Sequence, residues 1–425
     1  MFALISNISI ALFCALLGAC AIWTLLSMLL SWENRRFAKG RFKKSIKVRA
    51  REHRVALFVP CKGDDGDLEQ NLACFFKQTH PNFELVLIVE SCEDSAVPII
   101  QKLQRQFPQQ DCRLVLAGIA GHSGQKVHNL IQATAQIDSD VRIMAFADAD
   151  IRPTTQWLQL ICWGVCKMKN ATANTGYRWM LPERNTLPNL FLSSINSAVA
   201  GSMGSGGHFL VWGGSWAMRR SYFDRLEMRE RWAGTLSDDL VASQVIFDAG
   251  ERVVYEPRCL CSTPFDMTWS QAIEFSRRQY VIGRIYAKRM FWSAFAVTTL
   301  SVLTWWTSLI FAVLWAGTFW GTLAVATLGV TFVCSVAKGW LRQDTFRRSN
   351  PEVYAANRVA AWFDIFATPL VASFNWMVMV SALNKDDIVW RENHYRIYRD
   401  GQIEWLNRPS ISADVGSTGE CRRAA

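Results

Sequence analysis

Two aspartates one residue apart close an apolar run at Ile143-Met-Ala-Phe-Ala-Asp148-Ala-Asp150-Ile-Arg-Pro153. Ile143 to Ala147 is uninterrupted and β-prone, the pattern of a strand buried on both faces of a parallel sheet. Both carboxylates therefore emerge at the strand's C-terminal end, where open α/β sheets bind their ligands. An Asp-x-Asp in that position can put two carboxylates on one hard cation, which in turn holds a diphosphate. A nucleotide-sugar site is the direct reading, although the same spacing suits two solvated turn residues ahead of Pro153. A second acidic pair, Ser237-Asp238-Asp239, opens an apolar helical pattern over Val241 to Ala249, where carboxylates also favour the positive end of the helix dipole. Glu274 to Arg284 gathers Arg277, Arg278, Gln279, Tyr280 and Arg284 just ahead of an apolar block. Arginines there can bind phosphate, and a juxtamembrane basic helix can equally contact lipid headgroups.

The elements that must position these groups alternate between strand and helix. Val55 to Pro60 reads as a buried strand, followed by the loop Cys61 to Gly66 and a helix from Leu68 to Gln78. Phe83 to Val89 is the next strand, ending in Glu90-Ser91-Cys92-Glu93-Asp94, and Cys112 to Ala117 a further short one. A loop at Gly121 to Gly124 leads into Lys126, His128 and Asn129 on a helix reaching about Gln136. This order predicts a doubly wound, mostly parallel sheet with its loops converging on Asp148 and Asp150. Thr175 to Glu183 follows a strand and sets Arg178 between Tyr177 and Trp179, a pair suited to stacking on a base or sugar or to core packing. Leu187 to Met218 is apolar but interrupted by serines and glycines, which suggests a membrane-interface segment. His208 within it is placed to touch an acceptor headgroup, although a lone histidine in a glycine-rich loop is commonly structural.

Half of the 425 residues are hydrophobic while 19% are charged, a balance that fits a soluble domain with membrane segments attached. Phe2 to Trp32 is long enough to cross a bilayer, and a dense basic run from Arg35 to Arg54 follows it. The positive-inside rule then puts the N-terminus outside and the following domain in the cytoplasm. The net charge of +10 sits mainly beside apolar runs, which points to anionic lipid and not to nucleic acid. Phe291 to Ala316 and Phe319 to Ala337 are further spans; Val359 to Leu383 is weakened by Asp364, Pro369 and Asn375, so either a full span or a re-entrant hairpin is open. The 12 cysteines show neither zinc-ribbon nor Cys-x-x-Cys spacing and read as reduced thiols.

Five stretches together carry a resemblance: Val59-Pro-Cys-Lys-Gly63, Lys126-Val-His-Asn129-Leu, Asp148-Ala-Asp150-Ile-Arg-Pro, Ser237-Asp238-Asp239 and Trp390-Arg-Glu-Asn-His-Tyr395-Arg. They resemble the family-two glycosyltransferases, and within them the chain is most similar to the ceramide glucosyltransferases and their bacterial relatives, over nearly its whole length. The resemblance implies a cytosolic nucleotide-sugar domain of the GT-A kind, inverting chemistry, a divalent metal (Mg or Mn) and a membrane lipid as acceptor. Carried over by position, Asp150 with Asp148 would hold the metal on the diphosphate, and Glu90 and Lys126 would contact the donor. Asp239 would be the general base with Asp238 supporting it, and Arg277, Arg278, Gln279 and Tyr280 would cap the departing nucleotide. Two departures stand out, because Ser91 follows Glu90 where an acidic residue is usual and Gln279-Tyr280 replaces an expected Arg-Trp.

The resulting expectation is a membrane-bound inverting hexosyltransferase acting from UDP-glucose on a ceramide-like or other lipid hydroxyl. A processive polysaccharide synthase and a non-catalytic nucleotide-sugar or lipid binder are the alternatives. The chain divides into an anchor over 1–32, a basic segment over 33–54, a GT-A domain over 55–288 with its membrane-interface stretch near 187–218, a membrane region over 289–383, and a tail over 384–425 whose end, from Ser410, reads as disordered.

Overall fold

The computed structural model describes residues 2–44, 53–64, 66–167, 171–206, 210–390 and 393–407. His208, part of the basic segment and the chain end from 408 onward lie outside the described residues. After α1 (Phe2–Phe42) the chain alternates β1 (Val55–Pro60), α2 (Leu68–Phe76), β2 (Phe83–Val89), α3 (Ala96–Gln106), β3 (Cys112–Leu116), α4 (Gln125–Thr134), β4 (Ile143–Ala147), α5 (Trp157–Lys167) and β5 (Ala173–Pro182). There follow α6 (Leu187–Ser202), β6 (Ser215–Arg219), α7 (Arg220–Arg225), α8 (Met228–Trp232), α9 (Asp238–Asp248), β7 (Val253–Phe265) and α10 (Trp269–Tyr286).

Seven strands form one sheet in the order β3-β2-β1-β4-β6-β5-β7. β1 to β4 are mutually parallel, β5 and β7 pair in parallel, and β6 alone runs the other way between β4 and β5. The uninterrupted apolar runs are buried as parallel strands require: β2 and β4 are buried throughout, and so is β1 up to Val59. One core lies under α2, α3 and α5, and another under α4, α8, α9 and α10.

The stretch suggesting one membrane-interface segment over 187–218 divides in two. Leu187–Ser202 is α6, packed on β5, whereas Ser215–Arg219 is a strand of the sheet with Trp216 fully buried. Phe146 and Trp216 are cross-strand partners whose rings stack at 4.3 Å, so aromatic packing against β4 draws this segment inward. Thr175 to Pro182 does not follow a strand but belongs to β5 itself.

Beyond the sheet come α11 (Lys288–Leu314), α12 (Phe319–Ser349), α13 (Pro351–Ala356), α14 (Arg358–Phe366) and α15 (Thr368–Ser381). Among the described residues α1, α11 and α12 are long and apolar enough to cross a membrane. α14 and α15 form a pair bent by 82°. Each residue that interrupts this apolar stretch has a use: Asp364 accepts two bonds from Arg342 at 2.6 and 2.7 Å, Pro369 opens α15, and Asn375 accepts from the Tyr280 hydroxyl. The chain then returns as a three-stranded antiparallel sheet, β8 (Asp387–Trp390), β9 (Asn393–Ile397) and β10 (Ile403–Asn407). Ile388, Tyr395 and Ile397 enter the same core as Val281 and Ile285 of α10, which fixes this small sheet to the large one's domain.

Candidate functional site

The C-terminal end of β4 delivers Asp148 and Asp150 to the rim of a cavity of ≈ 1330 Å³, its open mouth included. Because β6 is antiparallel to β4 with Ser215 opposite Ala147, the Gly213-Gly214 step just before β6 is carried across to the same rim. Lys126 in the first turn of α4 lies between the two acidic pairs, its Nζ 2.7 Å from Asp148 Oδ1 and 3.0 Å from Asp238 Oδ1. The loop that starts α4 is tied to the loop that starts α9: Gly124 N–H donates to Thr235 O at 2.9 Å and Gly234 N–H to Ser123 Oγ at 2.9 Å. The two helix starts are thus held against each other.

Asp238 and Asp239 open α9, where their charge complements the exposed N–H groups. Asp238 is buried, its main-chain carbonyl accepts from Trp232 Nε1 at 2.8 Å, and its Oδ2 has no hydrogen-bond partner among the described residues. Asp239 is half-buried and lines the cavity. Its Oδ1 accepts from Ser237 Oγ at 2.6 Å and from Leu240 N–H at 2.8 Å, and its Oδ2 from Gly213 N–H at 2.8 Å. Three donors fix the carboxylate while Oδ2 retains a lone pair for a ligand.

Burial pushes the Asp238 carboxyl up to about 6, with Lys126 pulling it back and Asp239 and Asp148 adding to the rise. Burial works against the Lys126 ammonium, but Asp148, Asp238 and Asp239 outweigh it and raise its pKa above the ordinary lysine value. Asp150 opens to the cavity yet is ringed by protein; this desolvation, and then the Asp148 charge, raise its pKa.

A carboxyl so destabilised as an anion is one that a cation would restore. Asp148 and Asp150 fit a hard divalent ion that takes its other ligands from phosphate oxygens and water, the usual manner of binding magnesium. No three His, Cys, Asp or Glu side chains gather around a common point among the described residues.

Four predicted residues on α10 separate by helical phase. Phe275, Arg278, Gln279 and Ile282, spaced i, i+3, i+4 and i+7, face the cavity. Arg277 turns away to Ser381 Oγ at 3.1 Å and Glu274 at 3.2 Å, and Tyr280 donates to Asn375 and lies 6.3 Å from the Phe291 ring. Of the four residues expected at a nucleotide, Arg278 and Gln279 therefore line this cavity and Arg277 and Tyr280 do not. Glu90 is buried and pairs with Lys62 Nζ at 2.5 Å, and Lys62 is the member of that pair lining both this cavity and an adjoining one of ≈ 580 Å³.

Several further lining residues come from segments whose sequence does not show that they reach this site. Trp390 of β8 lines both chambers, and Asn393 and Tyr395 of β9 line the smaller one. Arg278 stands over the Trp390 ring at 5.7 Å and donates Nη1 to Val389 O at 3.1 Å. Arg178 and Trp212 face the larger chamber. The run from Trp390 to Arg396 was visible as a motif, but its approach to the site depends on a contact spanning about a hundred residues.

Paired carboxylates at the end of a strand of a mostly parallel α/β sheet, a second acidic pair across the same cavity and three long apolar helices agree with the class that the family comparison gives, a glycosyltransferase with membrane segments. The chain belongs to glycosyl transferase family 21, whose family model matches residues 11–403. It is similar to ceramide glucosyltransferase 3 of Caenorhabditis elegans, with 26% identity over 97 residues, or 23% of this chain and 21% of that one. Ceramide glucosyltransferase of Komagataella phaffii (strain GS115 / ATCC 20864) is 32% identical over 73 residues, 17% of this chain and 14% of that one. The chain therefore spans about a fifth or less of the length of these curated relatives. Among solved structures it is similar to mannosyltransferase PcManGT from Pyrobaculum calidifontis in complex with GDP-Man and Mn2+, with 16% identity, a TM-score of 0.45, and coverage of 86% of this chain and 99% of that one. Glucosyl-3-phosphoglycerate synthase from Mycobacterium tuberculosis, in complex with Mn2+ and UDP-glucose, has 11% identity and a TM-score of 0.37 over 56% of this chain and 80% of that one.

Proposed function

We propose that this protein is an inverting glycosyltransferase of the GT-A kind that moves a hexose, glucose from UDP-glucose, to the hydroxyl of a ceramide-like lipid at the cytoplasmic face of a membrane. The observation that carries the reading is the meeting of Asp148, Asp150, Lys126, Asp238 and Asp239 around one cavity whose far wall, α10, leads directly into α11.

In this reading Asp148 and Asp150 hold magnesium or manganese against the donor diphosphate. When bound, the metal offsets the charge that builds on the leaving UDP. Lys126 takes up Asp148 and Asp238 in direct ion pairs, whereas Asp239, held by neutral donors, presents its Oδ2 as the base. An alcohol is far less acidic than a carboxylic acid, and its proton must pass to Asp239 as its oxygen attacks the anomeric carbon. One base suffices when attack comes from the face opposite the leaving group in a single displacement, and inversion follows. Lys62, Trp390 and Tyr395 line a chamber suited to the nucleoside, with Glu90 holding Lys62 in place.

The basic residues near the end of α1, Arg35, Arg36, Lys39 and Arg41, favour a cytoplasmic side for the sheet domain that this helix leads into. The docking of β8–β10 on the sheet's own domain favours a re-entrant α14–α15 pair. Membranes containing the protein are incubated with labelled UDP-glucose, UDP-galactose and UDP-N-acetylglucosamine, with and without chelator, and the lipids extracted. A labelled glycolipid formed from UDP-glucose and lost with chelator is expected; label in a long polymer, or none at all with any donor, overturns the reading.

A further inference from the structure

Of the basic side chains lining the large cavity, Lys62 is paired with Glu90 and Lys126 with Asp148 and Asp238. Arg178 on β5 and Arg278 on α10 form no ion pair among the described residues. Arg178 Nε is buried without a hydrogen-bond partner there, and the Arg278 guanidinium bonds to a main-chain oxygen, that of Val389. Both guanidinium groups stand over the ring of Phe275, at 5.1 and 5.4 Å from its centroid. They are close enough that, after burial, the Arg178 charge further lowers the pKa of Arg278.

Two partly desolvated cations brought side by side with no carboxylate in ion-pair contact are costly unless a ligand supplies the charge. A neutral lipid hydroxyl does not. The Arg178 charge also acts on Asp150, so an anion held between them would meet cations on both sides once Asp150 carries a metal. The guanidinium fork matches phosphate oxygens in geometry as well as charge.

We propose that Arg178, together with Arg278, binds the phosphate oxygens of the donor's diphosphate and retains the nucleoside diphosphate as it leaves. This rests on the nucleotide-sugar reading above and adds to it a residue on a different element from the α10 cluster. In the transfer, the bond from the anomeric carbon to the phosphate oxygen breaks and its electron pair goes to the diphosphate. The new bond forms to the acceptor oxygen, whose proton passes to Asp239. The negative charge gained by the diphosphate is what Arg178 meets.

The test uses the full chain in detergent, in EDTA, with UDP and inorganic pyrophosphate titrated separately by calorimetry. Wild-type protein binds both; Arg178→Gln weakens both about tenfold to a hundredfold, the worth of charge-assisted hydrogen bonds. Arg178→Lys, which keeps the charge but not the fork, recovers part of the loss and guards against a folding defect in the glutamine variant. Arg184→Gln, at an exposed ion pair with Asp266, binds as wild type. In initial-rate assays Arg178→Gln raises the inhibition constant of UDP while the KM of the lipid acceptor stays put. UDP binding indifferent to Arg178→Gln, at unchanged melting temperature, overturns the role of Arg178 and leaves the glycosyltransferase reading standing. A raised acceptor KM with unchanged UDP inhibition overturns it too, and assigns the pair to an anionic lipid headgroup. Pyrophosphate binding that depends on Arg178 in a protein blind to UDP sinks the nucleotide-sugar reading, and the donor assignment with it.

Discussion

The main-chain N–H of Gly213 donates to Asp239 Oδ2 at 2.8 Å, and a β-carbon at Gly213 would stand 2.8 Å from Lys126 Nζ and 3.1 Å from Asp239 Oδ2. The chain before β6 runs directly over the charged cluster, so a methyl group here presses on the free ends of these two side chains. Gly213→Ala therefore leaves the sheet intact but displaces the ammonium and the carboxylate by a few tenths of an ångström. Transfer is expected to fall about a hundredfold, the scale of a misplaced catalytic group, with the melting temperature within a few degrees of wild type. Equal loss of activity and stability would mean that the glycine serves packing alone.

Among the described residues Lys126 is the cation bridging the two acidic pairs, and the Asp238 side chain it meets is only 2% exposed. Lys126→Met should destabilise the domain by about 3 kcal/mol, because it leaves a buried carboxylate uncompensated; the lysine side chain's own 21% exposure argues against a larger figure. Adding Asp238→Asn removes the stranded charge and should recover a good part of that loss. Thermal unfolding in detergent of the two single variants and the double variant measures the coupling, and strict additivity would refute it.

Asp239→Asn keeps the oxygen that accepts from Ser237 and Leu240 but puts an NH2 where Oδ2 accepts from Gly213 N–H, so the proposed base is lost together with one bond of the neighbouring turn. Turnover should drop by about 10²–10⁴, the usual contribution of a positioned proton acceptor, with UDP affinity retained. Asp150→Asn should behave differently and raise the metal concentration needed for half-maximal transfer. Chelator should abolish transfer by the wild type, and added magnesium or manganese restore it. Full activity of Asp239→Asn would shift the base elsewhere.

The strands that hold this cluster were readable because each is a self-contained apolar run: Val55–Pro60, Phe83–Val89 and Ile143–Ala147 appear in the structure with the bounds expected of them. Ser215–Arg219 was not, since its serine- and glycine-rich approach imitates an interfacial segment and only pairing with β4 and β5 makes it a strand. The acidic pairs were legible from type and position, as they sit at ends of elements. Arg277 against Arg278 was not, because the rotation of α10 about its axis is set by packing on β8 and α15, far away in sequence.

The least predictable part of the site is its closing wall. Trp390 reaches both chambers only because α14 and α15 turn back at Ala367, and Ile403 N–H then bonds to Gly234 O at 3.1 Å, one residue before the segment leading to Asp238. Tyr286 secures the same joint, accepting from Leu236 N–H at 3.0 Å and donating to Gly401 O at 2.6 Å. Two outcomes are expected. Trp390→Ala removes the ring under Arg278, a contact worth about 0.5–2 kcal/mol, and should raise the donor KM up to about thirtyfold with little change in kcat. An epitope tag placed after Asn407 should be reached by antibody from the same side of the membrane as one inserted at the exposed Gln109 turn, since β10 and the sheet share one domain. Tags on opposite sides would require α14 and α15 to cross the bilayer, which would pull β8 and Trp390 away from Arg278 and leave the cavity without this wall.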